Sequence, residues 1–163
     1  MNDQFFTPIS EAKRLIDLTI NFITKNYKID LKEYTFLEPS AGSGAFFESF
    51  PKGYKKIGLD IEPQIKSIKK MDYFDFNINK KTIIIGNPPF GLRGNLALRF
   101  INHSAKFADF VAFVLPPLFN SNGKGTPATR VKGFKLAKEF EIEDNNFIYP
   151  DGTKVKVNSI FQI

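Results

Sequence analysis

The sequence predicts an α/β fold built on one mostly parallel sheet, and three observations lead to that prediction. Short apolar or β-branched runs alternate with amphipathic segments, which is the pattern of strands joined by crossover helices. Several of these runs end in Gly, Pro, Asn or Asp, the residues that stop strands and open turns. With 163 residues, 42% of them hydrophobic, the chain can bury a full core. We therefore expect one domain over residues 1–163, with right-handed crossovers.

The first predicted element is an amphipathic helix that begins at Thr7 and Pro8. Thr7 is expected to cap it and Pro8 to take its first position. Strands are then predicted near residues 35–38, 57–61, 82–86 and 110–115.

The later elements are less regular. Helices are predicted over residues 95–107 and near 134–140, while periodicity does not decide between helix and strand for residues 65–70. Residues 146–149 and 154–163 are predicted to pair as a hairpin, because the Asp151-Gly152 pair between them supplies a turn.

Asn87-Pro88-Pro89-Phe90, directly after a buried strand, is the most informative motif. The prolines fix φ and lack N–H groups, so the Asn87 side chain and the neighbouring carbonyls are held at the tip of the strand. A fixed amide oxygen, a fixed carbonyl and an aromatic face are what a site needs to grip a planar –NH2 group. The alternative interpretation is a proline turn that ends the strand, followed by a core phenylalanine.

A small-residue turn from Glu38 to Gly44 follows the first predicted strand. Gly42 and Gly44 allow positive φ and a close approach of the backbone to a ligand, which would meet N–H groups at a helix start. Phe47 stands where the dinucleotide fingerprint has its third glycine. This departure disfavours a pyrophosphate ligand and leaves a nucleoside.

Carboxylates end the next two segments. Asp60 closes an apolar strand about twenty residues after the glycine turn, the place where an acid accepts hydrogen bonds from a ribose diol in nucleotide-binding α/β folds. Glu62 is the second candidate for that role. Asp72 lies among aromatic residues, where it is suited to accept a hydrogen bond from an adenine amino group.

These motifs, in this order, resemble those of S-adenosylmethionine-dependent amino-methyltransferases, and most of all the N6-adenine branch in which the cofactor motif comes first. Phe6-Thr7-Pro8 resembles the leading motif of that branch, which contacts the methionine end of the cofactor. The resemblance implies a Rossmann-like methyltransferase fold: a mostly parallel seven-stranded sheet, a C-terminal antiparallel hairpin and helices on both faces. It implies catalysis by Asn87, Pro88, Pro89 and Phe90, and S-adenosylmethionine bound by Thr7, Glu38, Ser40, Gly42, Gly44, Asp60 and Asp72.

The implied reaction is methyl transfer to an exocyclic amino group, with N6 of adenine in DNA as the first candidate. RNA adenine and protein glutamine are alternatives, although the glutamine enzymes favour Tyr at the position of Phe90. A non-catalytic subunit that binds cofactor or nucleic acid is a further alternative. Because 163 residues leave no room for a separate target-recognition domain, we expect a partner subunit, a missing piece or low specificity on DNA.

The net charge of +6 suggests a polyanionic partner, although the lysine-rich composition also fits an A·T-rich genome. A turn-rich basic loop over residues 120–133 follows a predicted strand and is a candidate phosphate clamp through Lys124, Arg130 and Lys132. The alternative is an ordinary solvated loop. Phe147 or Tyr149 is a candidate for closing the second face of the target base.

Several classes of function are disfavoured. The chain has no cysteine, which excludes disulfides and thiolate metal sites, and its single histidine, His103, is expected to have a packing or surface role. We therefore expect no metal centre. The sequence contains no apolar stretch of membrane-spanning length and no signal-peptide pattern, so a cytoplasmic location is expected.

Overall fold

A seven-stranded sheet lies at the centre of the protein. The computed structural model describes residues 4–163, in which the helices are α1 (Ile9–Asn26), α2 (Ala45–Ser49) and α3 (Asn95–Ser104). The strands are β1 (Thr35–Glu38), β2 (Lys55–Asp60), β3 (Lys69–Lys70), β4 (Thr82–Gly86), β5 (Phe110–Leu115), β6 (Glu139–Glu141), β7 (Asn146–Ile148), β8 (Lys154–Lys156) and β9 (Ile160–Gln162). The sheet has the spatial order β3-β2-β1-β4-β5-β9-β6, and β7 pairs with β8 outside it.

The first five strands of the sheet pair in parallel, and β9 is the one strand of the sheet that runs in the opposite direction. β1 pairs in parallel with both β2 and β4, so that Leu37 lies opposite Ile57 on one side and Ile84 on the other. β3 and β5 extend this parallel arrangement, whereas β9 pairs antiparallel with both β5 and β6. The predicted mostly parallel α/β sheet is confirmed.

The direction of strand addition changes between β1 and β4. From β1 the chain adds β2 and β3 on one side, then returns to place β4 on the other. Ligands of open α/β sheets bind beyond the carboxyl ends of the strands at such a switch point. The segments that follow β1, β2 and β4 therefore meet at one edge of the sheet.

Helices cover both faces of the sheet, as predicted. α1 and α2 pack on one face, with Leu15, Ile16 and Phe46 in the same core as Phe36 and Ile83. On the other face, α3 packs against alternate strand residues through a second core, which contains Leu37, Ile84, Phe113, Leu98 and Ile101. This alternation along each strand follows from the two-residue period of side chains in a sheet.

The start of α1 differs from the prediction. The helix begins at Ile9 with Pro8 as its cap residue, and no side chain caps it, so the assignment of Thr7 as N-cap is wrong. Thr7 is buried because the preceding residue, Phe6, pairs with Ile148 and draws the segment against the protein. α1 is 18 residues long, and no helix within residues 4–163 has the length and apolar character to cross a membrane.

The predicted helix near residues 134–140 is wrong. Gly133 has a φ of +84°, and residues 134–138 form no helix before the edge strand β6 begins at Glu139. This path satisfies backbone groups at the end of the chain, because Ala137 and Lys138 donate to the carbonyl of Ile163 at 2.8 and 3.2 Å. Pairing with the last strand therefore outweighs the local helical pattern.

The C-terminal hairpin is confirmed in its first half. β7 and β8 pair antiparallel around the Asp151-Gly152 turn, and Gly152 has a φ of +88°. The prediction that residues 154–163 form one hairpin strand is wrong, because β9 leaves the hairpin and inserts between β5 and β6. Residues 65–70, for which helix and strand remained open, contain turns and the two-residue strand β3.

Candidate functional site

A cavity of about 330 Å³ opens at the carboxyl edge of β1, β2 and β4. Its wall combines the segments that follow these strands with the N-terminal strap, which we define as residues 4–7. The structure thus brings together segments that are distant in sequence, from Gln4 to Phe100. The lining residues most relevant to the chemistry of the cavity are Phe5, Phe6, Thr7, Glu38, Ser40, Gly42, Asp60, Asp72, Asn87, Pro88 and Pro89.

The glycine turn forms one wall of the cavity. Gly42 has a φ of +52°, and a Cβ at this position would lie 2.5 Å from Cε1 of Phe6, so only glycine fits beneath the strap. Gly44 has a φ of +88° and forms the cap of α2, but it does not line the cavity. Of the two glycines, Gly42 therefore faces the cavity and Gly44 shapes the turn behind it.

Asp60 fixes this turn from the end of β2. One carboxylate oxygen accepts the N–H of Gly42 at 2.8 Å and the other accepts the N–H of Glu62 at 2.8 Å. Asp60 is only 7% exposed and lines the cavity, whereas Glu62 is exposed and lies outside the lining. Each carboxylate oxygen retains lone-pair capacity for a further donor.

Asp72 lies across the cavity on the segment after β3. Its carboxylate accepts the N–H of Phe74 at 2.9 Å, and its side chain is exposed at the cavity. Met71, Tyr73 and Phe74 line the same part of the wall, so this region offers apolar surface beside one carboxylate.

Asn87 lies where β4 ends, and its amide is held in one orientation. Nδ2 donates to the carbonyl of Phe5 at 3.2 Å, while Oδ1 is buried with no hydrogen-bond partner among residues 4–163. The backbone carbonyl of Asn87 accepts from Oγ of Ser40 at 3.1 Å, which joins the tip of β4 to the glycine turn. Pro88 and Pro89 also line the cavity.

Phe90 is placed differently from the rest of its motif. Its ring packs edge-to-face on Phe5, with 5.4 Å between centroids, and it is not among the lining residues. Its carbonyl accepts the N–H groups of Leu96 and Ala97 at 3.0 and 3.2 Å, at the start of α3. In this structure Phe90 supports the strap from below.

Glu38 is a buried carboxylate without a hydrogen bond. It is 1% exposed, and both of its oxygens lack partners within the described part of the chain. Burial raises the pKa of Glu38 well above its ordinary value. The backbone N–H of Asn87 lies close to the carboxyl group without the geometry of a hydrogen bond, and it acts to lower the pKa. The negative charge of Asp60 raises the pKa further.

The buried polar side-chain atoms that lack partners all belong to this cavity. Within residues 4–163 they are Oγ1 of Thr7, both oxygens of Glu38 and Oδ1 of Asn87. Burial of a polar group without a partner is unfavourable, and such groups are rare in folded proteins. Four of them around one cavity indicate a site built for a ligand that supplies hydrogen-bond donors.

The candidate substrate-binding residues lie outside the cavity. Phe147 is fully buried and packs edge-to-face on Phe5, with 5.3 Å between centroids, whereas Tyr149 is exposed on the hairpin. Lys124, Arg130 and Lys132 are exposed on the long segment after β5. That segment is joined to the helix after the Asn-Pro-Pro-Phe motif, because Nη2 of Arg130 donates to Oδ1 of Asn95 at 2.9 Å.

Sequence reasoning missed the contribution of Phe5. Its backbone carbonyl orients the Asn87 amide, and its ring lies between Phe90 and Phe147. A carbonyl has no signature in the sequence, although the aromatic pair before Thr7 is a weak signal for an apolar wall. Within residues 4–163, no group of three His, Asp or Glu side chains is arranged to hold a metal ion.

Comparisons with known proteins connect this geometry to one fold. No family model matches the chain. The chain is 27% identical, over 124 residues, to a protein of Methanocaldococcus jannaschii named as the methylase subunit of type I restriction enzyme MjaIX; the match covers 75% of this chain and 20% of that protein.

A solved structure from Listeria monocytogenes, described as a class I S-adenosylmethionine-dependent methyltransferase, matches 99% of this chain with a TM-score of 0.65. The two sequences are 13% identical, and the match covers 61% of that protein. The chain thus spans only part of the length of both proteins. It has the Rossmann-like fold of the class I methyltransferases, as the sequence resemblance implies.

Proposed function

We propose that this protein transfers a methyl group from S-adenosylmethionine to the exocyclic amino group of a nucleobase, with N6 of adenine in DNA as the first candidate. The observation that carries the proposal is the buried, unpartnered Oδ1 of Asn87, held at the tip of β4 in the same cavity as Asp60 and Glu38. The fold and the relative named as a methylase subunit support the same activity.

The cavity residues fit S-adenosylmethionine. Its ribose hydroxyls would donate to Asp60 and its adenine amino group to Asp72, and its cationic amino-acid end would approach Glu38 and Thr7. The unpartnered oxygens of Glu38 and Thr7 support the last assignment, because a donor is what they lack. Ser40, Gly42 and Gly44 would shape the turn beneath the cofactor.

The bound cofactor would supply an electrophilic methyl group, whose bond to the sulfonium sulfur breaks as the bond to the accepting nitrogen forms, leaving a neutral thioether; the nitrogen would then release one proton to solvent. The accepting nitrogen is a poor nucleophile, because its lone pair is delocalised into the ring. Oδ1 of Asn87 and the carbonyl of Pro88 would each accept one N–H, which favours a pyramidal nitrogen and relieves its developing positive charge. Rigid placement would contribute much of the rate. No histidine or cysteine is needed as a base.

The target base must leave a duplex or already be single-stranded to reach this position. We retain Phe90 as the ring that stacks on the base, with Phe147 or Tyr149 on the second face. The packing of Phe90 and Phe147 on Phe5 means that stacking would require these rings to shift or the base to use another face.

DNA ranks first because the relative is named as part of a restriction enzyme and the chain carries a net charge of +6. RNA adenine ranks second and protein glutamine third, and a non-catalytic subunit comes last. The relative is a subunit, so we propose that this single catalytic domain works with a partner subunit for target recognition. We propose that it does so in the cytoplasm.

Transfer of tritium from labelled S-adenosylmethionine to separate pools of unmethylated DNA, RNA and protein tests the proposal. We expect label in DNA, recovered as N6-methyladenine after digestion. Label in RNA or protein would select one of the alternatives. Cofactor binding in calorimetry with no transfer to any pool would favour a non-catalytic subunit, and absence of cofactor binding would contradict the proposal altogether.

A further inference from the structure

An exposed loop follows the Asn-Pro-Pro-Phe motif directly and has no part in the cavity. In this loop, Gly91–Gly94, Leu92 is 81% exposed, the largest value among the exposed large apolar side chains of residues 4–163. Arg93 is exposed with a φ of +53° and a ψ of +31°, a left-handed conformation that non-glycine residues seldom adopt. Such conformations persist where the surroundings enforce them, and they cluster at functional sites.

The fold fixes both ends of the loop. A Cβ on Gly91 would lie 2.6 Å from Cβ of Leu96, and one on Gly94 would lie 3.0 Å from Cε2 of Phe119. Both glycines have positive φ, and their bare backbones are pressed against α3 and the segment after β5. Leu92 and Arg93 are therefore presented on a tip with a rigid base.

Two guanidinium groups lie near this apolar tip. The Arg93 guanidinium makes no hydrogen bond or ion pair with any residue in 4–163. Arg130 donates to Asn95, the residue that follows Gly94, and so places a second guanidinium beside the loop. Two arginines beside an apolar tip complement a polyanion with apolar base faces inside it.

We propose that Leu92 is a wedge that fills the gap left in a DNA duplex when the target base moves into the cavity, while Arg93 and Arg130 hold the flanking phosphates. The proposal rests on the proposed function. Apolar side chains inserted between base steps offset part of the cost of lost stacking. A single strand offers no such gap, so Leu92 should matter for duplex substrates alone.

The test compares two forms of one substrate: a synthetic duplex carrying the adenine labelled in the tritium experiment, and the same strand alone. For Leu92→Ala we expect kcat/KM to fall about tenfold on the duplex, as expected from partial loss of the wedge that replaces stacking, with no change on the single strand. Leu136→Ala is the matched control, because Leu136 is also an exposed leucine, at 61%, and lies outside the cavity lining. Leu136→Ala should leave kcat/KM unchanged on both the duplex and the single strand.

A second readout follows base extrusion itself. With 2-aminopurine at the target position of the duplex, the wild-type protein should raise fluorescence on binding, and Leu92→Ala should reduce that rise while cofactor affinity stays the same. An unchanged ratio of duplex to single-strand activity, or wild-type activity on single strands alone, would overturn the wedge and leave the proposed function standing. Failure of the wild-type protein to methylate any nucleic acid would remove both.

Discussion

Asn87 and Glu38 define the site at the scale of single residues, because each has a buried oxygen without a partner at the cavity. These oxygens have different tasks in the proposed function. Oδ1 of Asn87 would meet the target amino group and act in the transition state, whereas the Glu38 carboxylate would bind the cofactor. Substitutions at these positions should therefore affect turnover and cofactor affinity separately.

Asn87→Ala should lower methyl transfer by about 100-fold or more, the loss seen when one preorganised transition-state hydrogen-bonding group is removed. Cofactor affinity should stay nearly unchanged, because Asn87 is not assigned to the cofactor. Single-turnover transfer and calorimetry measure the two quantities. Asn79→Ala, at an exposed asparagine, is the control and should match the wild type. Normal turnover of Asn87→Ala would rule out the amide clamp.

Glu38→Gln should raise the melting temperature of the free protein and weaken S-adenosylmethionine binding by about tenfold, the effect of losing a hydrogen bond to a charged group. Glutamine keeps the shape of the side chain and cannot ionise, so the buried position stays uncharged at every pH. Glu48→Gln, at an exposed position of α2, is the matched control. Unaltered cofactor affinity in Glu38→Gln would place the cofactor's amino-acid end elsewhere.

The raised pKa of Glu38 also predicts a pH dependence. A carboxyl whose folded pKa exceeds its unfolded value contributes stability that is fully present below the unfolded pKa and is lost as the pH rises through the folded pKa. The free protein should therefore lose stability as the pH rises from the unfolded pKa of Glu38 through its folded pKa. The Glu38→Gln variant should lose less stability over the same pH range. A cationic ligand favours the carboxylate, so cofactor affinity should rise with pH over the same range. Thermal melts and calorimetry in a pH series measure both trends.

The N-terminal strap connects the site to the hairpin at the scale of structural elements. Phe6 exchanges two backbone hydrogen bonds with Ile148 of β7, at 2.7 and 2.9 Å. Beyond the strap, the buried carboxylate of Glu11 accepts from Arg14 and from the backbone N–H groups of Glu143 and Asp144. The strap, α1 and the segment before β7 are therefore joined, and the orientation of Asn87 depends on this assembly through Phe5.

Ile148→Pro should weaken cofactor binding by about tenfold, which corresponds to the loss of one or two hydrogen bonds. Proline removes the N–H that donates to Phe6 and leaves the pairing of β7 with β8, because both backbone groups of Ile148 face Phe6. Hydrogen exchange at Phe6 should accelerate in this variant. Ile148→Ala keeps the backbone bonds and serves as the control. If Ile148→Pro accelerates hydrogen exchange at the Phe6 amide and keeps full cofactor affinity, the strap is not needed for cofactor binding.

At the scale of the whole molecule, the position of the positive charges matters more for nucleic-acid binding than the net charge. The chain carries a net charge of +6. The basic segment after β5 is linked to the start of α3 by the Arg130–Asn95 hydrogen bond, which places it near the helix that follows the Asn-Pro-Pro-Phe motif. Lys25, in the last turn of α1, lies about 24 Å along the helix from Ile9, since each residue rises about 1.5 Å.

Neutralising Lys124, Arg130 and Lys132 together should flatten the salt dependence of DNA binding, by up to about one unit of slope for each phosphate that the protein no longer neutralises. The matched control neutralises Lys25, Lys28 and Lys32, which are exposed around the far end of α1. Binding isotherms over a range of salt concentrations give the slopes. Equal slopes for both triple variants would show that the basic segment after β5 does not bind phosphates.

Sequence predicts most reliably where local chemistry and tertiary structure agree. Proline and glycine residues end β1 and β4. The positions of these strand ends, and of the polar residues there, therefore follow from backbone sterics alone. The helix near residues 134–140 failed for the opposite reason: a local pattern competed with backbone pairing to a strand that lies about twenty positions later, and sequence periodicity carries no information about such pairing.

The sequence by itself determined the α/β class, the mostly parallel order and the acidic, glycine and amide residues at the strand ends. Only the tertiary structure decided that Phe5 orients the Asn87 amide, that Phe90 and Phe147 pack beneath the strap, and that Glu38 has no partner among residues 4–163. The reason is physical. Strand ends are set by neighbouring residues along the chain, whereas a buried oxygen is satisfied or orphaned by whatever distant segments the fold brings against it.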